Sequence, residues 1–251
     1  MINVRTYEEV KKIKRACEIS AKALKLAGEM CEEGVSSYEI DTAVRKYIFS
    51  ENARPNFLNY NGYPRSCCVS VNDMVIHGVP TKKVKLKKGD IVSVDVGAMY
   101  DGYNGDNAFT FIVGEVSKEV KDFLNTTENS LYYGIEAAVE DNRIGDISFN
   151  IQRVVEGGGY GVIREFVGHG IGEKLHEDPE VPNFIDDLRF KGPRLVEGMV
   201  IAIEPMTTID ETEIEQCEDN WGIKTKSGVL AAHFEHTVLI TKHGPVALSL
   251  I

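Results

Sequence analysis

The chain has 251 residues, 43% of them hydrophobic and 27% charged, which is ordinary for a soluble globular protein with a full core. Its 28 basic and 39 acidic residues leave a net charge of −11, which argues against broad nucleic-acid affinity and suits a neutral or cationic substrate. The five cysteines are odd in number, lack a C-x-x-C pair and include the adjacent Cys67 and Cys68, so neither a disulfide framework nor a zinc ribbon is expected.

The first fifteen residues carry Arg5, Glu8, Glu9, Lys11, Lys12, Lys14 and Arg15, which leaves no room for a signal-peptide core. No apolar run approaches the roughly 18 residues that span a membrane. A reducing cytoplasm is the expected compartment, with no membrane partner. Thr6-x-x-Glu9 forms a capping box before Val10, Ile13, Cys17, Ala21 and Leu24 at helical spacing, predicting a first helix to about Cys31 that stops near Gly34. Ser36-x-x-Glu39 opens a second, with Ile40, Val44, Tyr47 and Ile48 inward. An irregular stretch, 52–65, leads to a strand over 67–71. Lys82, Lys83, Lys85, Lys87 and Lys88 then make a solvated basic loop.

Ile91 to Val96 has the β-branched content of a buried strand, and Asp101-Gly102 is a strong hairpin signal. With that turn, Tyr100 pairs with Tyr103 and Asp95 faces Ala108. Asp106 lies two residues from Ala108, so both carboxylates point to one face. They are then diagonal neighbours, roughly 7–8 Å apart at the backbone. Burying two acids on one apolar face is costly unless a cation lies between them.

From Ser117 the order starts again. A helix is predicted over 118–139, using Val120, Phe123, Leu124, Leu131, Ile135 and Ala138. Asp146 is expected to cap another, with Ile147, Ile151, Val154 and Val155 inward and a stop at Gly157-Gly158-Gly159. Strands are predicted over 161–167, 199–203 and 233–240. Each half thus reads helix, helix, strand with a nearby His, then two strands bearing one acid each. His77, Asp95 and Asp106 belong to the first half, and His169, Glu204 and Glu235 to the second. This repeat predicts one α+β domain over 1–251 with an internal pseudo-twofold and the site at its centre.

Any one of these acids could be an edge-strand side chain facing solvent. Four in corresponding strands are harder to dismiss. Their negative charges balance two divalent cations, whereas one cation would leave two buried charges uncompensated. With His169 there are five protein donors, and bridging carboxylates could hold two metals roughly 3.5–4 Å apart. One imidazole among carboxylates favours Mn, Fe, Co or Zn over Mg or Ca. Gly157-Gly158-Gly159-Tyr160-Gly161 lacks the Lys-Ser/Thr of a phosphate loop, and Gly168-His169-Gly170 has no serine for a hydrolase triad.

Asp95, Asp106, His169 within Phe166-Val167-Gly168-His169-Gly170-Ile171-Gly172, Glu204 within Ile203-Glu204-Pro205-Met206 and Glu235 within Phe234-Glu235-His236-Thr237 together resemble the type I methionine aminopeptidases. The likeness spans nearly the whole chain, including His77-Gly78-Val79-Pro80 and Leu175-His176-Glu177-Asp178-Pro179. It is similar to the short bacterial form, without the N-terminal extension or the large insertion of type II.

The resemblance implies the pita-bread fold and removal of the initiator methionine from nascent chains when the second residue is small, through a metal-bridged water or hydroxide. It implies Asp95, Asp106, His169, Glu204 and Glu235 as metal ligands, Glu204 as general base, His176 as oxyanion stabiliser and His77 as a hydrogen-bond partner of the scissile amide. The methionine pocket is implied to be Phe57, Tyr60, Tyr63, Cys68, Leu175 and Trp221. Phe57 and Leu175 depart from the small residue and the aromatic that members often carry there, and the acidic stretch 210–219 is also atypical.

The alternatives within the fold are an Xaa-Pro aminopeptidase or dipeptidase, which keeps the same five ligands, and a non-catalytic binding protein, which would have lost some. Because nascent chains are the implied substrate, the lysine loop 82–88 is an expected ribosome contact.

Overall fold

The computed structural model describes residues 2–187, 189 and 191–250. Helix α1 (Tyr7–Glu29) begins at the predicted capping box: the Thr6 amide donates to Glu9 Oε2 at 2.8 Å, and the Glu9 amide donates to Thr6 Oγ1 at 3.4 Å. Helix α2 (Ser37–Ser50) repeats the device, with the Ser36 amide donating to Glu39 Oε2 at 2.8 Å. Each reciprocal pair satisfies two of the free amides at a helix start.

After α2 come β1 (Arg54–Pro55), a 3₁₀ turn (Tyr60–Gly62), β2 (Cys68–Val71) and β3 (Met74–Ile76). The central hairpin is β4 (Ile91–Tyr100) and β5 (Tyr103–Ile112), in the predicted register. Asp101 and Gly102 both have positive φ, at 48° and 82°, as a two-residue hairpin turn of this kind requires.

The second half supplies α3 (Lys118–Ala137) and α4 (Ile144–Gly157), then β6 (Gly161–Val162), β7 (Gly168–Gly170) and β8 (Glu177–Val181). They are followed by β9 (Val200–Ile203), β10 (Met206–Thr208), β11 (Ile214–Gln216), β12 (Ile223–Thr225), β13 (Ala231–His233), β14 (Glu235–Leu239) and β15 (Val246–Ala247).

Three local expectations need correction. Asp146 is not the N-cap of α4: it sits three residues inside, where its Oδ2 accepts the Arg143 amide at 2.9 Å while Oδ1 pairs with Lys191 at 2.6 Å. The strand expected over 161–167 ends after Val162. Arg164, exposed, turns outward to pair with Asp186 at 2.8 Å and stack on Phe184, so a charged side chain breaks the run. The strand expected over 233–240 changes partner at Phe234, with β13 pairing to β10 and β14 to β9.

The main sheet runs β1-β4-β5-β14-β9-β7-β8, all antiparallel, with β2 added on β4 and β15 on β14. Helices α1 and α2 cover the first half: Ile19, Ala23, Ile40, Val44 and Ile48 pack against Val92, Val94 and Val96. Helices α3 and α4 cover the second, with Phe123, Leu131, Ile147 and Ile151 against Ile201, Ile203 and Val238. Each fully buried Val, Leu, Ile or Phe among them contributes about 1.5–3 kcal/mol.

Gly105 lets α1 approach β5 closely, because a Cβ there would collide with the backbone and Sγ of Cys17. This is the pita-bread α+β fold, two helix-backed halves of one curved antiparallel sheet. The polar row of the sheet lies where the halves meet.

Candidate functional site

Five neighbouring strands each deliver one polar side chain to the same place. Asp95 on β4 and Glu235 on β14 both lie opposite Ala108 of β5, and Asp106 on β5 lies opposite Gly97. Glu204 directly follows β9, whose Ile203 pairs with His236, and His169 is the middle residue of β7. The sheet order β4-β5-β14-β9-β7 therefore aligns all five predicted donors across the junction of the halves.

The environment is hostile to bare carboxylates. Oδ1 of Asp95 and Oε1 of Glu235 are shut from solvent without a hydrogen-bond partner. Burial, with Glu204 nearby, pushes the Asp95 carboxyl up to about 7 despite the opposing influence of His233. Burial, then the Asp95 and Glu204 charges, raises Asp106 well above its ordinary range. Burial and the Asp106 charge do the same to Glu235. Glu204 goes the other way: burial would raise it, but His233 and His169 outweigh that and hold it ionised.

His169 donates from Nδ1 to its neighbour's carbonyl, Gly170 O, at 2.9 Å. A carbonyl only accepts, so Nδ1 carries a proton, and the other ring nitrogen, Nε2, faces Glu204 Oε1 at 3.5 Å. Donor atoms of Asp106, His169 and Glu235 lie within 4.8 Å of one another, as do those of Glu204, His233 and Glu235. Orphaned carboxylate oxygens, crowded acids and a ring nitrogen of His169 gathered in one place fit divalent cations.

These donors form the floor of a cavity of about 390 Å³. Phe57, Tyr60, Tyr63, Cys68, His77, Leu175, His176 and Trp221 line it, so every residue expected from sequence faces this one space, together with Asn61. Tyr63 and Trp221 stack edge-on at 5.1 Å, and Tyr60 OH lies 2.7 Å from His176 Nδ1. Burial depresses two imidazoles of this lining: His77 falls below its ordinary range, and His176, also facing His169, drops to about 4. Both are neutral hydrogen-bonding groups at pH 7. His77 has φ of 57°, a left-handed backbone unusual outside glycine.

His233 was not anticipated. It is buried, and Nε2 stands 3.5 Å from Glu204 Oε2. The available signal was its place two residues before Glu235, on the same face had the strand run straight through.

A profile of the metallopeptidase family M24 matches residues 11–242. The chain is 44% identical to a methionine aminopeptidase of Aquifex aeolicus over 254 residues, covering 99% of this chain and 98% of that one. The crystal structure of a methionine aminopeptidase from Thermotoga maritima is 41% identical and superimposes with a TM-score of 0.97 over 100% of both chains. A prolidase from Pyrococcus furiosus is 25% identical, with a TM-score of 0.77 over 99% of this chain but 65% of its own. With its carboxylate-lined junction, this chain belongs to metallopeptidase family M24 and, within it, to the methionine aminopeptidases of bacterial type.

Proposed function

We propose that this protein removes the N-terminal methionine from nascent proteins when the second residue is small, with residues 1–251 acting as one cytoplasmic domain. The observation that carries the reading is the juxtaposition of four acids and His169 on five adjacent strands with an aromatic and aliphatic cavity above them. Asp95, Asp106, His169, Glu204 and Glu235 would hold two divalent cations, of Co, Mn, Fe or Zn type. Such cations lower the pKa of water and polarise a carbonyl.

The chain's own groups do the rest. Glu204, the one acid of the cluster held below its ordinary range, takes the proton of the attacking water and passes it to the leaving amine. His176, neutral and fixed through Nδ1 by Tyr60, donates from Nε2 to the oxygen of the tetrahedral intermediate. His77 hydrogen-bonds the scissile amide. Phe57, Tyr60, Tyr63, Cys68, Leu175 and Trp221 enclose the methionine side chain, whose flexible thioether suits mixed aromatic and sulfur contacts.

The deciding experiment is hydrolysis of Met-Ala-Ser with and without chelator, followed by add-back of Mn, Fe, Co and Zn. Turnover should vanish on chelation and return with metal; chelator-resistant turnover contradicts the reading. Cleavage of a Met-Pro dipeptide without cleavage of Met-Ala-Ser would favour the Xaa-Pro alternative instead. Less than one metal per chain after anaerobic reconstitution would favour a binding protein.

The ribosome is the proposed partner through the loop 82–88. Lys82, Lys83, Lys85 and Lys87 are exposed and form no ion pair among the described residues, whereas Lys88 pairs with Glu33 at 3.6 Å. Among the described residues no helix is long and apolar enough to cross a membrane.

A further inference from the structure

Leu175 and His176 sit on a short turn between β7 and β8, and turns of this kind have little intrinsic rigidity. Besides the side-chain contacts Tyr60–His176 and Tyr103–Glu173, three attachments hold this one. From β5, the Asn104 amide donates to Gly172 O at 2.8 Å, and its side chain donates to Gly172 O and Glu173 O at 3.0 and 3.1 Å. Within the turn, the Lys174 amide donates to Glu177 Oε1 at 2.9 Å. The third comes from the segment ahead of α1.

There Arg5 pairs with the other Glu177 oxygen, which also accepts from Asn3 Nδ2 at 2.6 Å. Both charged side chains of the Arg5–Glu177 pair are only 6% exposed. The guanidinium lies flat over Gly172, where any Cβ would collide with it. The Arg5 amide in turn donates to Gly198 O at 2.8 Å, which fixes the segment to the body of the protein.

We propose that Arg5 is a positioning residue for the site: seated on Gly172 and paired with Glu177, it clamps the 172–177 turn so that Leu175 and His176 face the cavity. Glu177 divides its two oxygens between the turn's own amide and the clamp, so one carboxylate couples the N-terminal segment to His176. An ion pair this buried is geometrically demanding, because losing either partner strands the other charge. The guanidinium's planar fork is suited to resting on a glycine while holding a carboxylate, and a lysine ammonium is not. The activity arm of the test below rests on the aminopeptidase reading; the exchange arm does not.

The test uses the metal-loaded protein with Arg5→Ala and Glu177→Gln. Amide hydrogen exchange over 172–177 should quicken at least tenfold in both variants, while the β4–β5 hairpin and α3 stay protected as in the parent. Unchanged exchange over 172–177 overturns the proposal. For Met-Ala-Ser, Arg5→Ala should lower kcat about tenfold in the parent but less than twofold in a His176→Ala background. Equal losses in both backgrounds would mean that Arg5 does not act through His176, and overturn it. If the parent protein hydrolyses no Met-Ala-Ser, the aminopeptidase reading fails and exchange alone decides the clamp.

Discussion

His233 places Nε2 3.5 Å from Oε2 of Glu204, while His169 stands at the same distance from Oε1. Each oxygen of one carboxylate thus has its own imidazole. This explains why the Glu204 carboxyl is held below its ordinary range while burial and neighbouring charge push Asp95, Asp106 and Glu235 above theirs. Environments that push neighbouring carboxylates apart in this way separate a base from the groups around it.

Replacing Glu204 by Gln should lower kcat for Met-Ala-Ser by about 10²-fold or more at saturating metal, the usual range for a lost general base. His233→Ala should cost about tenfold, as supporting groups around metal ligands commonly do. It also removes an influence that lowers the Glu204 pKa, so the acidic limb of the kcat/KM profile should move to higher pH. An unmoved limb would show that His233 does not tune Glu204.

In metal-free protein the raised acids make folding stability depend on pH. Asp95, Asp106 and Glu235 hold protons to higher pH folded than unfolded. Their share of stability is therefore present near pH 4 and is lost as pH rises, for Asp95 through about 7. The depressed His77, His176 and His236 oppose this: their share is present above about 6.5 and lost as pH falls toward the lowered values. Comparing parent with Asp106→Asn isolates the carboxylate part. In chelator the variant should melt higher than the parent at pH 8, with the gain shrinking at pH 5. A constant difference across that range would mean that the acids are not crowded in solution.

Trp221 depends on a small device. Asp219 Oδ1 accepts the amides of Trp221 and Gly222, each at 2.9 Å, which sets the indole against Tyr63 as one wall of the cavity. Trp221→Ala should raise KM for Met-Ala-Ser by at least about tenfold, since even one methylene of fit in a hydrophobic pocket is worth about 1–3 kcal/mol. Its kcat should change less than threefold. A fall in kcat with KM unchanged would place Trp221 outside the methionine pocket.

Changing Lys82, Lys83, Lys85, Lys87 and Lys88 to Glu should abolish ribosome co-sedimentation at low salt and leave Met-Ala-Ser hydrolysis intact. Exposed charges act through screened fields, so the parent's binding should also weaken as salt rises. Co-sedimentation that survives the five changes rules the loop out.

Much of this was legible in the chain because it is local. The Thr6–Glu9 and Ser36–Glu39 boxes, the Asp101-Gly102 turn and the strand period need only a few residues of context, and they placed Asp95 and Asp106 on one face. Acids set in β-branched runs announced the cluster, since burial without a counter-charge is untenable. What the chain could not disclose depends on partners far away in it. Only the tertiary structure shows that the 233–240 run passes from one sheet to another at Phe234 and leaves His233 facing Glu204, that Arg164 breaks a strand by reaching Asp186, or that Arg5 meets Glu177 across the fold. Pairing strength within a strand or helix is written in neighbouring residues. Which side chains share a buried volume is settled only when the whole core closes.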